Sequence, residues 1–209
     1  MKKLIVAAAT MLLVCATSFA QFNVNLGYAN STESYKTGSD KFSTRLNGFT
    51  VGVGYSLELA DDFYFTPGLN YLFVAAPDIN MMGAGPVSLK GNVTEHYINV
   101  PMVLSYDFSF SGGSKFFLFA GPTACIGIAS NTKLTAAVAG YKVDDKINNY
   151  GDNDYRRFDI LLGGGIGLKF SDTYLFKVGY DFGMLNRSGQ QGVSERRRQL
   201  SVGIAYLFD

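Results

Sequence analysis

The sequence predicts an all-β fold, an eight-stranded antiparallel up-and-down transmembrane β-barrel with short turns at one end and long loops at the other. Three observations predict it. Beyond residue 20, no apolar run is long enough to cross a bilayer as a helix, yet stretches of about ten residues alternate large apolar groups with Gly, Ser, Thr, Asn or a charge. Those stretches are even in number, and the connections between them are alternately long and short. Charged residues make up only 17% of the 209 residues, under the roughly 25% of an ordinary soluble domain, while 24 are Gly. A sheet with one greasy face satisfies its backbone groups in lipid only by closing on itself, which removes the edges.

Residues 1–20 carry Lys2 and Lys3, an apolar run from Leu4 to Val14, and Ser18-Phe19-Ala20 before Gln21. This is the pattern of a signal peptide cleaved after Ala20, leaving 21–209 as one barrel domain. Cys15 falls in the leader, so Cys125 is the one cysteine of the mature chain and no intrachain disulfide forms.

Phe22, Val24, Leu26 and Tyr28 mark the first strand. In the second, Phe49, Val51, Val53, Tyr55 and Leu57 oppose Gly48, Thr50, Gly52, Gly54, Ser56 and Glu58. Phe63, Phe65, Leu69, Tyr71 and Phe73 give the third, and Ile98 to Phe108 in steps of two the fourth. The fifth is less regular: Leu118, Ala120, Ala124, Ile126 and Ile128 share a face, but Phe117 and Phe119 lie on the small-residue side. Phe158 to Phe170, Tyr174 to Met184 and Leu200 to Phe208 complete the set. The long connections span about 30–46, 75–93, 130–154 and 186–196, which puts both termini on the periplasmic side of a Gram-negative cell outer membrane. Tyr and Phe near the strand ends supply the two interfacial girdles.

Three segments carry a resemblance. His96-Tyr97-Ile98-Asn99-Val100-Pro101-Met102-Val103-Leu104, Phe119-Ala120-Gly121-Pro122, and Phe158-Asp159 with Gly163-Gly164-Gly165-Ile166-Gly167-Leu168 are similar to small outer-membrane β-barrel proteins of the Bacteroidetes, the PorT-like proteins. The end Ile204-Ala205-Tyr206-Leu207-Phe208-Asp209 resembles the aromatic-ended signal read by the barrel assembly machinery, with Asp209 after the Phe as a departure. The resemblance implies a cell-envelope location and an assembly route, and leaves the individual role open.

An eight-stranded lumen is just wide enough for side chains. Inward parity predicts a polar network of Glu58, Asp107, Asp159, Lys169, Lys177 and Asp181, with Arg157 at its outer end. Across the tight turn at Ser171-Asp172-Thr173, Lys177 is expected opposite Gly167 and Asp181 opposite Gly163. The glycine run itself is no dinucleotide loop, since no helix pattern follows it.

His96 is the single histidine, so no multi-histidine metal site is expected, and no cofactor. Glu95 and Ser194 match the other members of a hydrolase triad by chemical type alone. Arg156, Arg196, Arg197 and Arg198 fall at the outer end, where lipopolysaccharide phosphates or a partner protein would meet them. The balance of 18 Lys+Arg and 17 Asp+Glu gives no basic excess for nucleic acid. The stretch Ile147 to Asp154 is polar but lacks calcium-loop spacing, and Met81 to Val87 is an unusually apolar loop.

The expected function is that of a non-enzymatic, porin-like barrel whose outer loops bind a ligand or pack as an accessory subunit beside a larger outer-membrane complex. Its expected partners are outer-membrane lipid and lipopolysaccharide, the assembly machinery during biogenesis, and an outer-membrane protein. Two alternatives stay open: a narrow channel for small solutes, and a lipid A-modifying enzyme using His96.

Overall fold

The computed structural model describes residues 20–84, 87–109, 113–138, 141–152 and 154–208. The expected signal peptide lies outside the described residues. The elements are β1 (Ala20–Thr37), β2 (Asp40–Ala60), β3 (Phe63–Ala84), β4 (Val87–Ser109), β5 (Ser114–Val138), β6 (Tyr141–Asn148), α1 (Asn149–Asp152), β7 (Phe158–Phe170), β8 (Tyr174–Gly183) and β9 (Val193–Phe208). Every strand pairs antiparallel with its neighbour, and β1–β9 and β4–β5 pairings close a ring of eight; β6 hangs on β5 outside it.

The alternation read from the sequence is the alternation of the wall. Outward positions such as Leu26, Leu69, Leu104, Ile126, Ile166, Phe176 and Ile204 are exposed apolar groups, whereas Asn23, Asn25, Asn99, Asp107, Asp159 and Gln199 are buried inside. This inversion of a soluble fold follows from lipid as solvent: the greasy face has nothing to hide from. The belt runs over 22–28, 49–57, 63–73, 98–108, 116–128, 158–170, 174–182 and 200–208. Aromatic pairs edge it, with Phe22–Phe208 and Tyr174–Tyr206 centroids 5.7 and 5.6 Å apart at the end with the termini, and Phe49–Phe73 and Phe73–His96 at 5.6 and 5.1 Å at the other.

The end holding the termini also holds the tight turns. Ser171 and Asp172 both take φ near +50°, the twist-compatible geometry of short hairpins. Lys115 of β5 reaches 3.2 Å to Asp172 and ties that strand to the β7–β8 turn. At the opposite end, here the hairpin end, the long connections differ from irregular loops. A spanning strand needs about 9–11 residues, and β4 has 23 and β5 has 25. The surplus forms paired arms that run on past the belt to Thr37↔Asp40, Ala84↔Val87 and Val138↔Tyr141. Of the apolar segment Met81 to Val87, the residues 81–84 and 87 therefore end the β3–β4 arm, and 85–86 lie outside the described residues. Much of 130–148, expected as a loop, is β5 and β6.

The irregular fifth strand has a packing reason. Phe117 and Phe119 point inward and lie across a floor of Gly165, Gly167 and Gly179, where a Cβ would collide with their rings. Glycines opposite aromatics let a narrow barrel hold large rings.

Candidate functional site

The lumen is layered. Near the terminal end Lys169 Nζ donates to Asp107 Oδ2 at 2.5 Å, and sits 4.4 Å from the Tyr64 ring centroid and 5.6 Å from that of Phe117. Asp107 is buried, so this pair is shielded from water and each partner depends on the other. Above it lies a cavity of about 160 Å³ bordered by Asn25, Asn70, Asn99, Lys177, Asp181 and Gln199. Lys177 faces Gly167 and Asp181 faces Gly163 in the β7–β8 register, the placement expected from the tight turn. Asp159 is buried, and its Oδ1 accepts from the backbone N–H of Ile160 at 2.8 Å and of Leu185 at 3.3 Å.

Two other expected members stand at the edges of that network. Glu58 is exposed at the terminal mouth, opposite Tyr64 of β3 in register and just before the shift between Glu58 and Ala60. Arg157 is exposed at the outer end, one residue before β7 starts. Its Nη1 donates to the carbonyls of Gly127 and Ile128 at 3.2 and 3.0 Å, and its guanidinium stacks 4.4 Å over Tyr150.

The hairpin end of the lumen is closed by a cluster that sequence reasoning missed. Arg187, carried by the β8–β9 connection, dips into the barrel. It reaches Glu33 of β1 at 2.6 Å, Glu195 of β9 at 3.2 Å and Glu95 of β4 at 3.3 Å. Glu95 also accepts from Tyr97 Oη at 2.5 Å and from Ser130 Oγ at 2.8 Å. Asn149 of α1 donates to Ser130 Oγ at 2.9 Å, so the short helix is tied to the same network. Beneath it Arg197 stacks 4.2 Å over Tyr97. Arg187, Arg197, Tyr97, Leu46, Leu72, Glu33, Glu95 and Glu195 are all fully buried, and Ala29, Leu46, Leu72, Val74, Ala76 and Tyr97 pack as an apolar cluster beside the ions.

Three carboxylates share Arg187, and their protonation follows from that crowding. Burial pushes Glu195 up to about 7, against the pull of Arg187 and with the help of Glu95. Burial and the charge of Glu95 likewise raise Glu33 well above the usual carboxylate range. Burial and the neighbouring Glu33 raise the Tyr35 hydroxyl as well.

Arg197 corrects an expectation. The expected outer contact of Arg156, Arg196, Arg197 and Arg198 does not include it, because β9 begins at Val193 rather than near Leu200, and odd positions on β9 face inward. Extending the alternation back from Ser201 through Gln199 would have placed Arg197 and Glu195 in the lumen. The same extension reaches Glu33 on β1 and Glu95 on β4; Arg187, on a connection, carries no periodic signal. Arg156, Arg196 and Arg198 are exposed.

His96 faces outward in the aromatic girdle, its Nδ1 2.6 Å from Tyr71 Oη. Glu95 points the other way into the lumen, and Ser194 lies on β9 opposite Lys36 of β1. The structure does not bring this trio together. In the polar stretch 147–154, Asp152 Oδ2 accepts from the Asn148 N–H at 2.8 Å, a local turn contact.

The family model described as "Outer membrane protein beta-barrel domain" matches residues 16–187. No curated protein matches the chain. Among solved structures, the chain is similar to Ail of Yersinia pestis, with 13% identity, 91% of this chain and 99% of that one covered, and a TM-score of 0.46. Neisserial surface protein A gives 16% identity, 90% and 99% coverage and 0.42. The outer membrane enzyme PagL gives 17% identity, 85% and 97% coverage and 0.40.

Proposed function

The chain belongs to the outer membrane protein beta-barrel domain family, and from that premise we propose that it is a non-conducting, non-enzymatic barrel that presents a β-structured platform at the cell surface. Its termini are periplasmic and its hairpin end faces outward. The platform serves as a binding surface for another envelope component, in the manner of an accessory subunit, within a PorT-like branch of the family.

The observation that carries this reading is the contrast between the two halves of the molecule. Among the described residues, the buried Arg187 and Arg197 cluster fills the hairpin end of the lumen, which supports a barrel that does not conduct. The wall, in contrast, continues outward as a four-stranded sheet of β3, β4, β5 and β6, well beyond what crossing a membrane requires. Rigid paired arms hold binding residues in place better than irregular loops. The outward, Tyr71-bonded His96, with the side chain of the adjacent Glu95 on the opposite face of β4, supports the absence of an acyl-transfer centre built on His96.

Planar-bilayer recording of the purified barrel tests the closed lumen: no conductance steps are expected, and reproducible steps would restore the channel reading. Native purification from detergent-solubilised outer membrane, with mass spectrometry, tests the platform: a stoichiometric envelope protein is expected. A chain that elutes alone, and with its β5–β6 arm deleted leaves the cell unchanged, would refute it. Release of acyl groups from lipid A, lost in His96→Ala, would restore the enzyme reading.

A further inference from the structure

We infer that the outward face of β9, β1 and β2, just beyond the belt at the hairpin end, is a binding site for the phosphate headgroups of membrane lipid. Register lines up the positions. Arg45, Thr32 and Arg198 form one cross-strand row, Ser43, Ser34 and Arg196 the next, and Lys41, Lys36 and Ser194 the third. All five cations are exposed, and among the described residues none makes an ion pair.

Strand parity separates the charges. At the level of these rows the acids, Glu33 and Glu195, point inward and are held by Arg187, so the three outward rows present only cations and hydroxyls; the next acid, Asp40, is exposed beyond them at the β1–β2 turn. The site is therefore uncompensated in a way that the near-neutral composition conceals. Neighbouring strands are about 4.8 Å apart, so Arg45 and Arg198 flank Thr32 at roughly 10 Å between backbones, within reach of a common anion. Guanidinium forks bind phosphate through two parallel charge-assisted hydrogen bonds, and the hydroxyls add donors.

The level commits the site to lipid rather than to a soluble anion. Below the Arg45 row comes an amide row, where Asn30 Nδ2 and Tyr28 Oη both donate to Asn47 Oδ1 at 2.6 and 2.5 Å. Below that, Phe49 and Tyr28 belong to the girdle, paired with each other in register. Four residues of tilted strand separate the girdle from the arginines, roughly 10 Å, which is the step from acyl chain to headgroup. The patch faces sideways from the wall, along the membrane surface.

The test uses the full-length folded barrel in dodecyl maltoside micelles with bisphosphorylated lipid A or its dephosphorylated form, and native mass spectrometry to count bound lipid. The parent is expected to prefer the phosphorylated lipid by about tenfold, and Arg45→Ala/Arg196→Ala/Arg198→Ala to lose that preference. Lys115→Ala, at the terminal end of the barrel, is expected to bind as the parent does. Equal binding of the two lipids, an arginine variant that binds like the parent, or an equal loss in the lysine variant would each overturn the site. Heat-dependent gel mobility verifies folding; if the triple variant fails it, Arg198→Gln is judged by the same outcomes.

Discussion

Replacing Arg187 by Met removes the shared cation of three buried carboxylates at 2.6, 3.2 and 3.3 Å. Removing one partner of a buried pair costs about 3–5 kcal/mol, because the remaining charge has neither water nor counter-ion. The orphaned acids can escape by taking up protons. At pH 8, holding a carboxyl protonated costs about 5 kcal/mol against its value in water, and at pH 5 under about 1 kcal/mol. The loss is thus expected to be about 5 kcal/mol at pH 8 and to shrink to about 2 kcal/mol at pH 5, where lost packing and hydrogen bonds remain. Urea titration of the detergent-folded barrel, read by heat-dependent gel mobility, measures both. Adding Glu33→Gln and Glu195→Gln to the Arg187→Met chain should recover much of the pH 8 loss. An unchanged urea midpoint at pH 8, or an equal loss at the two pH values with no recovery, would refute the account of the cluster as a charge-balanced plug.

Further outcomes follow from the same geometry. Glu195 has a raised folded-state value of about 7 against 4.5, so its stabilising proton is fully present below about pH 4.5. That stability is lost as pH rises towards about 7, and Glu195→Gln should flatten the slope, worth about 3 kcal/mol across the window. Cys125 is buried in the lumen, so a maleimide reagent should label it only after unfolding; rapid labelling of the folded barrel would contradict the closed hairpin end. Gly167→Val places a side chain into the Phe117 ring and against the Phe176 carbonyl, and should reduce stability by about 2 kcal/mol or more, measured by refolding yield and urea midpoint.

The wall was legible in the sequence because strand alternation is local covalent geometry: successive side chains point to opposite faces whatever the rest of the chain does. Parity alone named Asp107, Asp159, Lys169, Lys177 and Asp181 as inward, and one tight turn sufficed to set Lys177 against Gly167. The same rule would have reached Glu33, Glu95, Glu195 and Arg197 had the strands been extended beyond a membrane's thickness. What tertiary structure decided was who meets whom. Lys169 of β7 finds Asp107 of β4 across β5, and Arg187, on a connection without periodicity, finds acids on β1, β4 and β9. Those partners depend on the stagger accumulated around the closed ring, a non-local quantity that no single strand encodes. The alternation therefore determined an outer-membrane wall, and ring closure determined that buried ions fill its hairpin end and that, among the described residues, Arg45, Arg196 and Arg198 make no ion pair.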